Sequence, residues 1–164
     1  FNGGIIMAVF TNGIFPAGGE AGNGGGIIQV VTATSTTNSQ QVNGTGNWTD
    51  MAPTCDITMQ DSGNKVLLFL SVGCGMEWVG ITAFRAMRGS TEIGVTCGYC
   101  WNNTRWQYAP PPFQALTDTP GAGTHTYKIQ VMTQRNNNFY WNWNGNGTHG
   151  RTDSATMTLM EFSS

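Results

Sequence analysis

Apolar and polar residues alternate with period two along most of this chain. No window repeats apolar residues at three- and four-residue spacing between helix caps, so strands are predicted throughout. IIQVVTATST (27–36) is a β-branched run, and CDITMQ (55–60) alternates. KVLLFLSVG (65–73) is apolar on both faces, which predicts a central strand covered on both sides. MEWVGITAFRAMRG (76–89) is the one place where a helix competes. Read as alternation, it sets Ile81, Ala83, Arg85 and Met87 on one face and Thr82, Phe84, Ala86 and Arg88 on the other; its β-branched and aromatic content and the RGST turn favour a strand. STEIGVTCGYCW (90–101) follows. THTYKIQVMTQ (124–134) puts Tyr127, Ile129 and Val131 on one face and Lys128 and Gln130 on the other, and ATMTLMEF (155–162) alternates again. Turn clusters QDSGNK, TPGAGT and NGNGTHG separate these runs. The fold class expected is all-β, an antiparallel β-sandwich of jelly-roll type spanning residues 27–164.

Composition changes this picture in two ways. Charged residues make up 10% of the 164 residues, against roughly 25% in ordinary soluble domains, and Thr, Asn and Gly fill the polar positions. Such a mixture suits strands and tight turns, and without high charge it does not have the signature of a disordered chain. A net charge of −2 supplies no basic surface for nucleic acid. No apolar run is long enough for a membrane-spanning helix, and the N-terminus lacks the pattern of a signal peptide. Residues 1–26 differ from the rest, mixing small apolar clusters with glycines around a single charge, Glu20. Ile5, Ile6, Val9, Phe10, Ile14 and Phe15 read as anchors of an extended arm that binds a partner or clasps a subunit, with a floppy tail as the plainer alternative.

Candidate chemistry is sparse. Cys97 and Cys100 have CxxC spacing, but Cys55 and Cys74 stand too far apart to complete a zinc site, and no helix follows the motif as a thioredoxin-like pair requires. Buried or free thiols in strands are expected, with disulfides the alternative. His125 and His149 lie near no catalytic motif and read as surface polar residues. The carboxylates, Asp50, Asp56, Asp118 and Asp153 among them, are scattered singly, without the facing pair of a glycosidase or the spacing of a calcium loop. No catalytic residue, metal or cofactor is therefore expected.

Two aromatic stretches stand out. In FYWNWNGNG, Phe139, Trp141 and Trp143 share one side of a strand and Tyr140, Asn142 and Asn144 the other. The three large rings read as core or subunit interface, and Asn-Gly turns predict a hairpin with the strand RTDSATMTLMEF. Tyr140 and Asn142, with Asn144 on the same face, are then the residues left to contact a sugar. The second stretch, YCWNNTRWQYAPPPF (99–113), is less periodic and ends in prolines. Its Trp101, Asn102, Asn103, Arg105, Trp106 and Tyr108 form either an outward recognition surface or a lid over the sandwich.

Taken in order, GGIIQVVTATSTT, SGNKVLLFLSVG, AFRAMRGSTEIG, GAGTHTYKIQV and ATMTLMEF resemble the distal β domain of bacteriophage tail-fibre proteins, the kind found in marine and cyanobacterial phages. The resemblance covers about residues 25–164. It implies a non-enzymatic virion protein, a homotrimer that contacts other proteins of the capsid or tail and serves as a fibre or appendage knob for host attachment, with a surface glycan as receptor. A tail fibre carries a long shaft before this domain, whereas here the Gly-rich arm precedes it, so the sequence is either a fragment of a longer fibre or a short protein that uses the domain as a knob. A short trimeric knob with such an arm also suits a capsid decoration protein at three-fold sites. A monomeric carbohydrate-binding module is the reading of a different class.

Overall fold

The computed structural model describes residues 26–36, 40–42, 46–76, 80–100, 107–109, 115–133, 139–142 and 154–163. These residues are all-β, with every strand pairing antiparallel, as the alternation predicts. The first sheet has the order β1 (Ile27–Ser35), β12 (Ala155–Phe162), β4 (Lys65–Ser71), β9 (Leu116–Asp118). The second has β3 (Thr49–Met59), β10 (Gly123–Thr133), β6 (Gly80–Arg88), β7 (Thr91–Cys100). A small third sheet joins β2 (Gln40–Val42), β11 (Phe139–Trp141), β5 (Cys74–Met76) and β8 (Gln107–Ala109). The segment where helix competed is β6, and the RGST turn reverses it into β7 through Gly89, whose φ of 56° favours glycine.

One core lies between the sheets, consistent with a β-sandwich. Val66, Leu68, Met157 and Leu159 enter it from the first sheet, and Ile57, Phe84, Tyr127, Ile129 and Val131 from the second. Each such side chain contributes about 1.5–3 kcal/mol by leaving water. The third sheet adds Phe139, Trp141 and Cys74. Phe139 meets Phe84 edge to face at 5.4 Å, and Trp141 Nε1 donates to the Ala52 carbonyl at 2.6 Å, close to a register shift in the β3–β10 ladder. The Phe139 and Trp141 face of the aromatic stretch is thus core, as read from its alternation.

Two expectations are corrected. β11 does not form a hairpin with the strand at 155–162: it pairs with β2 and β5, while both edges of β12 are taken by β1 and β4. The apolar alternation of β12 matches those longer partners, and three residues of β11 offer no competing ladder. Secondly, β4 is central in its sheet, but among the described residues only one of its faces is fully covered. Val66, Leu68 and Leu70 are buried, whereas Leu67 is half-buried and Phe69 is 36% exposed.

Cys55 and Cys74 are free, buried thiols. Burial pushes Cys55 up to about 11, with the neighbouring Asp56 charge adding to it, and burial alone pushes Cys74 up to about 12. Since the thiolate is the reactive form, iodoacetamide at pH 8 is expected to leave both unmodified in the folded protein and to label both once denaturant is added. Peptide mass mapping reads each site separately; labelling of native Cys55 or Cys74 at the rate of an unfolded thiol contradicts this burial.

Candidate functional site

The outward face of the second sheet gathers the chain's scarce charge. On β10 the inward Tyr127, Ile129 and Val131 leave Lys128 and Gln130 pointing out. On β6 the inward Phe84 and Ala86 leave Arg85 out, and on β3 the buried Met51 leaves Asp50 out. Antiparallel register then aligns Asp50, Gln130, Arg85 and Val95 in one row across all four strands. Neighbours in such a row lie within direct reach of one another, and the first three are joined. Gln130 Nε2 donates to Asp50 Oδ1 at 2.5 Å, and Arg85 Nε donates to Gln130 Oε1 at 2.6 Å.

Flanking groups extend the network. Lys128 Nζ lies 2.9 Å from Asp50 Oδ2, and Arg85 Nη1 lies 3.5 Å from Glu92. The Trp48 ring, just before β3, lies 4.3 Å from the Arg85 guanidinium carbon. That stacking is a cation–π contact, and it holds the planar guanidinium in one orientation. The hydrogen bond from Gln130, then that from Lys128, holds the Asp50 carboxyl below the usual carboxylate range. The face therefore presents a row of mutually bonded polar and charged groups with the Trp48 ring stacked on one of them, spaced by the roughly 4.8 Å between strands. Such a surface suits hydroxyl-rich, polar ligands.

Those sequence-predicted contact residues that the structure describes fall elsewhere. Tyr108 on β8 and Tyr140 on β11 both stand opposite Gly75 of β5, so the small sheet brings these two positions into one row. Tyr140 is half-buried on the side away from the core. Asn142 does not join it: it is 1% exposed, and its Nδ2 lies 3.4 Å from the Ser35 carbonyl. The cause is a φ of 55°, which breaks the strand alternation that would have turned the side chain outward. Trp101, Asn102, Asn103, Arg105 and Trp106 lie outside the described residues, as do the arm anchors Ile5, Ile6, Val9, Phe10, Ile14 and Phe15.

A second polar cluster serves the fold. Asp118 accepts from the Tyr127 hydroxyl at 2.8 Å and from the Thr119 N–H at 2.9 Å, and pairs with Arg88 at 3.1 Å. It borders an open recess of about 570 Å³ lined also by Lys65, Thr117, Thr119 and Phe162. With its oxygens already engaged, Asp118 is a clamp between β9, β10 and β6. His125 Nε2 donates to the Gly121 carbonyl at 3.1 Å, which ties down the turn before β10. Among the described residues no group of three or more His, Cys, Asp or Glu side chains is placed to hold a metal ion.

No protein-family model matches the chain, and a search of curated proteins finds no match either.

Proposed function

We propose that this chain is a non-enzymatic structural protein of a bacteriophage virion: a homotrimeric fibre or appendage knob of jelly-roll type that contributes to host attachment. The ordered strand phrases that resemble tail-fibre distal domains support the virion assignment. The observation that carries attachment is the Asp50–Gln130–Arg85 row with Trp48 stacked on it, because a chain this poor in charge places four charged side chains, those of Asp50, Arg85, Glu92 and Lys128, around one solvent-facing patch. Shallow polar patches bind a glycan weakly, and three copies on one axis multiply that affinity.

Two measurements test this reading. Light scattering on a sizing column is expected to give three chains, and a monomer argues for a free carbohydrate-binding module. Binding to host cells or purified surface glycan is expected to fall at least about tenfold in Arg85→Ala, the size expected for losing one charged hydrogen bond, and to fall also in Trp48→Ala, which removes the ring stacked on that guanidinium. Unchanged binding in both variants, with loss in Trp106→Ala, moves recognition to the segment at 101–106. A trimer that binds no glycan but adheres to phage shells favours capsid decoration.

A further inference from the structure

The outward face of the first sheet is the chemical opposite of the second. Register sets Val30, Met160 and Leu67 directly opposite one another across β1, β12 and β4, and beside them Thr32, Thr158 and Phe69. Val30, Met160 and Leu67 are half-buried, and Phe69 is 36% exposed. Thr32 and Thr158 bond hydroxyl to hydroxyl at 3.2 Å, and Thr34 and Thr156 do so at 3.4 Å, so these polar groups partly satisfy each other without water. Among the outward residues of these three strands Lys65 alone is charged, at the margin opposite Phe162. The face is thus uncharged over most of its area and partly apolar, the character of a surface that another segment can cover.

The occupant is indicated by where the preceding chain enters. Gly26 is fixed at the Phe162 end of this face: its N–H donates to Ser163 Oγ at 3.1 Å and its carbonyl accepts from the Ser163 N–H at 3.2 Å. The 25 residues before it carry one charge, Glu20, and seven large apolar side chains from Ile5 to Phe15. Between those anchors and β1, residues 18–26 hold six glycines, which permits reversal of direction. Eleven residues of extended chain reach roughly 36 Å, and an eight-residue strand is roughly 27 Å long, so residues 5–15 are long enough to cross the face. An uncharged segment and an uncharged face lose little by leaving water together.

We propose that the arm of the same chain, residues 1–17, folds back and covers the outward face of the β1–β12–β4 sheet. The arm then supplies the second cover that the apolar pattern of β4 calls for. The test uses the full chain with the photo-crosslinker p-benzoylphenylalanine in place of Phe69, and separately in place of Thr158, the residue across from it. Cross-links from both positions to peptides of residues 1–17, within single chains, are the expected result. The same probe in place of Val95, 55% exposed on the opposite sheet, serves as the control and is expected to capture none of them. Cross-links that join separate chains, that miss residues 1–17, or that form equally from position 95 overturn the proposal. None of these outcomes depends on glycan binding.

Discussion

Glu161→Ala is expected to lower the free energy of unfolding by about 4 kcal/mol, the range for breaking a buried charged network. Glu161 has no exposed surface, and its carboxylate is shared by three donors. Oε1 accepts from the Gln60 N–H at 2.8 Å and from Asn64 Nδ2 at 2.6 Å, while Oε2 accepts from Gln29 Nε2. Gln29 belongs to β1, and Gln60 and Asn64 belong to the turn that carries the chain from β3 into β4. One side chain of β12 therefore ties an edge strand of the first sheet to the crossover from the second. Alanine takes the acceptor from the Gln60 N–H and Asn64 Nδ2, leaves Gln29 Nε2 with the Thr58 carbonyl alone, and opens a void. Glu161→Gln keeps the volume and one acceptor, so about half the loss is expected. Urea unfolding at pH 7 reads both. Glu92→Ala, on a side chain 47% exposed, is the control and is expected to stay within about 0.5 kcal/mol of the parent. A Glu161→Ala midpoint equal to that of Glu92→Ala refutes the clamp.

Alkaline pH produces the second large effect. Cys55, Cys74 and Tyr127 are buried acids whose neutral forms the fold favours. Burial raises all three, and the hydrogen bond to Asp118 raises Tyr127 further. The sign follows from proton counting. Above the ordinary thiol and phenol ranges the unfolded chain has released these protons and the folded chain has kept them, so stability is full below about pH 9 and falls as pH rises. Each proton is worth about 1.4 kcal/mol per pH unit, and with partial ionisation the three together give about 3 kcal/mol per unit near pH 10.5. Denaturant midpoints measured from pH 8 to 10.5 are expected to stay level at first and then drop steeply. Tyr127→Phe is expected to flatten the slope above pH 10 by about one third, whatever it does to stability at pH 8. A Tyr127→Phe slope equal to the parent's shows that the phenol is not a source of the effect.

The strands were legible because most of them present one face to the core, and period-two alternation is the direct record of that. Tyr127, Ile129 and Val131 on β10, and the buried positions of β12, follow it residue by residue. Pairing was not legible. The choice of β1 and β4 as neighbours of β12, in preference to the nearby aromatic stretch, depends on ladders between segments far apart in the chain. Asn142 escaped for a local reason, a left-handed backbone that alternation cannot encode. The polar row was half visible. Lys128, Gln130 and Arg85 can be assigned to outward positions of their strands by alternation, and charge in so uncharged a chain is itself a signal. What the sequence lacks is the register that sets Asp50, Gln130 and Arg85 side by side, and the placement of Trp48 over the guanidinium.

The position of β12 has a consequence for synthesis. It lies between β1 and β4, so the first sheet is two separate pieces until residues 155–162 arrive. Gly26 and Ser163, 137 residues apart in the chain, then become neighbours. Until that segment is made, β1 has no ladder partner among the described strands and the core between the sheets stays open on that side, and pairing it requires the closure of a long loop. The same closeness means that a short linker from residue 163 to residue 26, with new ends cut in a turn such as Asp61–Gly63, would turn this long-range contact into a local one.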